Sequence, residues 1–176
     1  MDSFTFNPVN SSYIRVILDD CLNPEKAVGV DGISPRILRL CAPVLADEVT
    51  KLINYLICTR SWPTEWKCSN ITPALKKAED TYKGNYRPIS ILTTLSKVYE
   101  KVLYDQMYGE FCHFLSTNLS GFLKNHSCCT ALLKMTEDWR DCLDNREAVA
   151  AVAVDLSKAF DSICHNLLLA KLKAYG

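Results

Sequence analysis

The sequence predicts an α+β fold that is mostly helical, and three observations carry that expectation. Apolar residues recur at helical spacing in several segments separated by proline or glycine. Two short β-prone runs, residues 70–76 and 86–91, flank a polar loop as the arms of a hairpin would. One uninterrupted apolar run, residues 148–154, reads as a strand covered on both sides that ends at Asp155. The 176 residues suffice for a domain of ordinary size, and 48% hydrophobic with 23% charged residues is globular composition.

Taken in order, residues 10–22 read as a short helix opened by the polar Asn10-Ser11-Ser12. A loop with Pro24, Gly29 and Gly32 follows. Ser34-Pro35 is a strong helix start, because proline's missing N–H costs nothing in a first turn. Pro43 separates that helix from an amphipathic one over 44–59, whose predicted inward stripe is Leu45, Val49, Leu52 and Leu56. The segment 61–67 ends this helical region. Pro73 puts the first hairpin strand at an edge, since it has no N–H for a ladder. Thr93 or Thr94 caps a long helix with Leu95, Val98, Tyr99, Val102 and Leu103 on one side. Ser127 caps another, with Leu132, Met135, Trp139 and Leu143 expected to face inward. After the apolar run comes a helix from about residue 165 to 175.

Several function classes are disfavoured. No apolar run approaches the roughly 20 residues of a membrane span, and residues 1–10 show no signal-peptide pattern. The nine cysteines are odd in number and show no zinc-type pair spacing, so buried or incidental free thiols in an intracellular protein are expected, the compartment being unknown. Net charge is zero, but unevenly distributed. Residues 60–101 carry eight Lys/Arg against four Asp/Glu, a balance of +4, while residues 1–59 and 102–176 each stand at −2. The basic middle is either a phosphate-facing surface or an ordinary solvated face.

The candidate chemistry begins with Asp155. A carboxylate at the exit of a buried strand is rigidly held and can meet a ligand in the crevice beyond. The plain alternative is an aspartate capping the next turn.

The surrounding residues extend that reading. Val154-Asp155-Leu156-Ser157-Lys158-Ala159-Phe160-Asp161-Ser162, followed by His165 and residues 167–172, resembles the first palm motif of LINE-like (non-long-terminal-repeat) retrotransposon and group II intron reverse transcriptases. Residues 83–92, Lys-Gly-Asn-Tyr-Arg-Pro-Ile-Ser-Ile-Leu, resemble the family's second fingers motif, and residues 71–77 its first. Val30-Asp31-Gly32-Ile33 resembles the segment preceding the fingers. Gly121-Phe122, Ser127 and residues 131–133 resemble the element between fingers and palm. Each motif is weak alone; their order along residues 29–176 is specific.

The resemblance implies a partial right-hand polymerase: fingers helices, a β-hairpin and the start of a palm. It divides the chain into an N-terminal helical region, 1–68, and a truncated reverse transcriptase domain, 69–176. It implies an RNA-directed DNA polymerase that uses an RNA template, a DNA primer, dNTPs and Mg²⁺. Asp155 would be the first metal-binding catalytic aspartate, with the Leu156 carbonyl as a further metal ligand. Backbone amides of Ser157, Lys158, Ala159 and Phe160 would hold triphosphate oxygens. The Phe160 ring would press on the sugar and exclude a 2′-hydroxyl; otherwise it is a core aromatic. Arg87 would grip the triphosphate with its planar fork, assisted by Lys76 or Lys77, unless these lysines are solvated hairpin charges. Asp161 reads as a turn residue, and His165 as a helix cap or packing residue.

The chain departs from the pattern. Ser120-Gly121-Phe122-Leu123 stands where the family usually has Gln-Gly-Phe-Arg, which puts one polar contact in doubt, and Cys128 replaces a threonine. The later palm motifs with paired aspartates do not follow, so the 176-residue chain is expected to be inactive and marginally stable alone. A non-catalytic nucleic-acid-binding remnant is the competing reading, and a small helical protein with its motifs kept for packing is a third.

Overall fold

The computed structural model describes residues 4–76, 80–156 and 159–175. Two compact units emerge, one spanning Thr5–Glu110 and the other comprising Phe4 with the described residues from Phe111 onward. The 68/69 boundary expected from the motifs therefore falls inside the first unit. The mostly helical α+β expectation is met, with a single two-stranded sheet among the described residues.

In the first unit, helix α1 (Ser11–Val16) continues into a π-type turn, Ile17–Cys21. Asn10 caps it by accepting from the Tyr13 amide at 2.8 Å. Helix α2 (Pro35–Leu40) starts as the sequence predicts, with Ser34 Oγ accepting from the Arg36 amide at 3.2 Å. Helix α3 (Ala42–Thr59) carries Pro43 in its first turn and ends at Arg60, whose φ of 51° is left-handed. The Arg60 and Ser61 amides close the last turn onto the Ile57 and Leu56 carbonyls. The buried stripe of α3 is Ala42, Ala46, Val49, Ile53, Leu56 and Ile57, rotated from the predicted one. Leu52 is exposed and Leu45 half-buried, while Ala42 and Ala46 take buried positions on the helix.

Strands β1 (Asn70–Leu75) and β2 (Tyr86–Ile91) form the predicted antiparallel hairpin. Helix α4 (Thr94–Phe111) follows. Thr93 caps it, its hydroxyl accepting from the Ser96 amide at 3.4 Å, and Val98, Tyr99 and Val102 are buried as expected. These three complete a core with Ile14, Ile17 and Leu18 from the α1 segment, Leu38 from α2 and the α3 stripe. Burial pushes the Tyr99 hydroxyl above its usual pKa. Trp62 and Trp66 stack about Tyr99 with ring centroids 5.1 and 6.1 Å away. The segment before the hairpin is thus fastened to α4, which anchors the base of β1.

In the second unit, helix α5 (Cys128–Asp144) starts with a reciprocal cap between Ser127 and Thr130, and helix α6 (His165–Tyr175) has the predicted bounds. None of its described residues is buried. The inward stripe predicted for α5 is corrected accordingly: Leu132, Met135, Trp139 and Leu143 are all solvent-accessible. The strand expected over 148–154 is likewise not formed. Val152 and Val154 are 87% and 80% exposed, and the only ladder among the described residues is β1 with β2. An apolar run becomes a strand only when a neighbour satisfies its backbone groups, and among the described residues none pairs with it.

Candidate functional site

The hairpin concentrates the charge that the sequence placed in the middle of the chain. Its register pairs Ala74 with Arg87 and Pro73 with Pro88. The Lys76 amide donates to the Asn85 carbonyl at 2.6 Å, one step beyond the ladder. Antiparallel rungs alternate between hydrogen-bonded and non-hydrogen-bonded pairs. Counting back from the bonded 76/85 rung puts Pro73 and Pro88 on a non-bonded one. Both prolines thus face each other where no inter-strand N–H is needed, and the hairpin keeps its ladder despite them.

The same register sets the side chains. Residues two apart share a face of a strand, so Ala74 and Lys76 lie on the face that carries Arg87. Lys76 and Arg87 are diagonal neighbours, a spacing of roughly 7–8 Å at the backbone. Both are exposed, and among the described residues neither side chain has an ion-pair or hydrogen-bond partner. Lys83 lies in the short 3-10 turn Lys83–Asn85 that leads into β2. The loop is tied back by the Tyr86 hydroxyl, which donates to the Asp80 carbonyl at 2.9 Å. Two like charges on one face of an exposed hairpin repel each other slightly and are relieved by an anion between them.

The remaining site residues belong to the second unit. Asp155 and Leu156 are exposed and lie in irregular chain rather than at a strand end. Ala159 and Phe160 occupy a turn. Phe160 is 73% exposed and meets Phe122 edge to face, with centroids 6.2 Å apart and planes at 89°. Phe122 has a left-handed φ of 63°. The core-aromatic alternative for Phe160 is therefore set aside. Lys77, Ser157 and Lys158 lie outside the described residues. The structure thus brings Lys76 and Arg87 together, and it links Phe160 to the Gly121-Phe122 element.

Divalent-metal chemistry asks for more than this donor set. Magnesium takes six oxygen ligands, and among the described residues no three acidic, histidine or cysteine side chains gather around one point. Asp155 with the Leu156 carbonyl does not make a magnesium site by itself. The nine cysteines are free thiols, eight of them exposed, which fits incidental rather than buried thiols. No helix among the described residues is long and apolar enough to cross a membrane.

Sequence reasoning singled out Val30-Asp31-Gly32-Ile33 without a structural role, and the role is now visible. Gly32 turns the chain with a φ of +71°. Thr94 Oγ1 donates to the Ile33 carbonyl at 3.0 Å, so this segment docks on the start of α4 just after β2. Residues 29–33 thus brace the hairpin's exit.

The first unit thus carries a cationic hairpin face next to a helical core. Comparison with known proteins sharpens this. The family described as reverse transcriptase (RNA-dependent DNA polymerase) matches residues 75–176, more than half of the chain. The chain belongs to that family. It is 29% identical over 154 residues to a probable RNA-directed DNA polymerase from transposon BS of Drosophila melanogaster, covering 85% of this chain and 17% of that protein. An RNA-directed DNA polymerase from mobile element jockey of the same fly is 25% identical over the same shares. A putative COX1/OXI3 intron 1 protein of Saccharomyces cerevisiae is 33% identical over 93 residues, 53% of this chain and 10% of that one. The chain spans about 17% of the length of the transposon relatives it matches. The LINE-like resemblance drawn from the ordered motifs is borne out.

Proposed function

We propose that this chain is the fingers and opening palm portion of a right-hand RNA-directed DNA polymerase, and that its hairpin grips the triphosphate of the incoming dNTP. The observation that carries the reading is the shared face of Arg87 on β2 and Lys76 just past β1, two cations with no partner among the described residues. An arginine fork suits two phosphate oxygens, and a nearby ammonium adds a point charge to a third. In the complete enzyme the amides of residues 157–160 would face the same phosphates, and Phe160 would lie against the sugar and disfavour a 2′-hydroxyl. Asp155 and the Leu156 carbonyl would contribute part of the shell of a catalytic Mg²⁺, which supplies activation of the primer 3′-oxygen when bound. RNA template and DNA primer would be the polymer partners.

The reading is tested by binding a fluorescent deoxynucleoside triphosphate to the 176-residue chain. Arg87→Ala and Lys76→Ala are each expected to weaken binding about tenfold, as loss of a charge-assisted hydrogen bond does, while the same-face control Thr72→Ala leaves it unchanged. Equal affinity in Arg87→Ala and the parent chain would end the triphosphate assignment. Primer extension on an RNA template by the chain alone is expected to yield no product, since one carboxylate cannot build a two-metal centre.

A second reading has its own support in the uncompensated hairpin charge: a non-catalytic nucleic-acid-binding remnant. It calls for salt-dependent oligonucleotide binding that survives without any preference for triphosphates.

A further inference from the structure

We infer that the first unit carries a second phosphate-ester site, separate from the hairpin, in a cleft between the α1 segment, α2 and α4. The cleft holds about 250 Å³ and its floor is apolar, made by Ile17, Leu22 and Pro35. Three ammonium side chains line it, Lys26 from the loop and Lys97 and Lys101 from α4, and among the described residues no carboxylate does. Lys97 and Lys101 are four residues apart and so lie one turn above the other on the same helix face. Lys101 is held at 2.7 Å by Asp105 and lies over the Tyr104 ring, 5.6 Å from its centroid. Lys26 and Lys97 have no side-chain partner among the described residues. Glu100 senses Lys97 electrostatically but makes no ion pair with it.

With Lys101 already paired to Asp105, Lys26 and Lys97 leave the apolar recess a positive field that an added anion would relieve. The apolar floor adds a demand that a bare inorganic anion does not meet. The ligand that satisfies both is a phosphate ester with a flat or apolar body, that is, a nucleotide, free or within a single strand. The volume sits just under the usual range for ligand pockets, roughly 300–1,000 Å³, so it takes one nucleotide unit and not a duplex. A second recess of about 400 Å³ is lined by other residues of α2 and the same loop. Arg36 and Arg39 line it, and its one lining carboxylate, Asp19, is engaged by Arg15 at 2.7 Å. A strand leaving the cleft along α2 would meet further cations there.

This inference rests on the nucleic-acid reading above but not on the hairpin assignment. It is tested by lysine acetylation of the whole chain, read by mass spectrometry, with thymidine monophosphate, a short oligothymidylate or inorganic tripolyphosphate present. Lys26 and Lys97 are expected to be shielded by the mononucleotide, the oligonucleotide or both, which tells a free nucleotide from a polymer unit. Lys51, exposed and paired with Glu48, is expected to react unchanged. The double variant Lys26→Gln/Lys97→Gln is expected to lose about 0.7 per removed cation from the logarithmic salt slope of oligonucleotide binding. Shielding of Lys26 and Lys97 is expected to persist in Lys76→Gln/Arg87→Gln, which leaves the cleft intact. Equal shielding by tripolyphosphate would overturn the nucleotide assignment. Shielding of Lys76 and Lys83 alone would overturn the cleft and leave the hairpin standing, and no shielding anywhere would remove both.

Discussion

Gly29 and Thr93 meet backbone to backbone: a β-carbon placed on Gly29 would lie 2.7 Å from the Thr93 α-carbon and 2.8 Å from the Leu92 carbonyl oxygen. That contact locks the 29–33 turn onto the junction between β2 and α4. Gly29→Ala forces main chain to shift, and is expected to cost about 1–3 kcal/mol, as overpacking does. Gly32 has open space around it but a left-handed φ, so Gly32→Ala is expected to cost only about 1 kcal/mol. Urea unfolding of the two variants checks the order. A Gly32→Ala variant less stable than Gly29→Ala would contradict this packing.

Tyr13 and Asp105 tie α1 to α4 through a 2.7 Å bond from the tyrosine hydroxyl to the carboxylate, whose other oxygen accepts from Lys101. Burial, followed by that bond and the carboxylate's charge, pushes the Tyr13 pKa well up. A folded pKa above the unfolded one means the neutral phenol is favoured in the folded state. The stabilisation is complete below the unfolded value, about 10, and is lost as pH rises beyond it. Tyr13→Phe is expected to lose about 1–2 kcal/mol at neutral pH and to show a smaller further loss than the parent chain above pH of about 10. Parallel unfolding curves for the two chains up to strongly alkaline pH would contradict it.

Ser96 and Thr94 sit in the same buried turn with opposite fates. Thr94 Oγ1 reaches the Ile33 carbonyl, whereas Ser96 Oγ is fully buried with no partner among the described residues. Replacing a satisfied hydroxyl strands the carbonyl it served, while removing an unsatisfied one relieves a desolvation cost. Thr94→Val is therefore expected to destabilise by about 1–3 kcal/mol, and Ser96→Ala to stabilise by about 1 kcal/mol. Thermal melts of the two variants should move in opposite directions.

The local signals in the sequence translated well wherever a neighbour in sequence decides the outcome. Asn10, Ser34, Thr93 and Ser127 cap helices because a side-chain oxygen two or three residues upstream of an amide needs nothing else. The hairpin followed from two β-prone runs around a polar loop, and its register brought Lys76 and Arg87 to one face. Signals that need a distant partner did not translate. Among the described residues the run 148–154 pairs with no strand, so Asp155 follows irregular chain. The α3 stripe was misplaced because Ala42 and Ala46 give weak hydrophobic signals yet are buried. The three lysines of the cleft were invisible because Lys26 lies far in sequence from Lys97 and Lys101, in a segment whose net charge is negative.

The contrast between the two units makes a last prediction about dynamics. Helix α3 buries seven residues and α4 five, so opening either exposes core. Helix α5 has a regular apolar stripe, Leu132, Met135, Trp139 and Leu143, with no described residue of its unit buried against it. A helix of that length without a packed face is marginal in water, because tertiary burial supplies most of a helix's stability. Amide hydrogen exchange of the chain is expected to be fast across α5 and α6 and slow across α3 and α4. A polar substitution on the stripe, Leu132→Gln, is expected to change global stability by less than about 0.5 kcal/mol, whereas Ile53→Ala in α3 is expected to cost about 2–5 kcal/mol. Protection of α5 equal to that of α4 would mean that its apolar face is covered in solution.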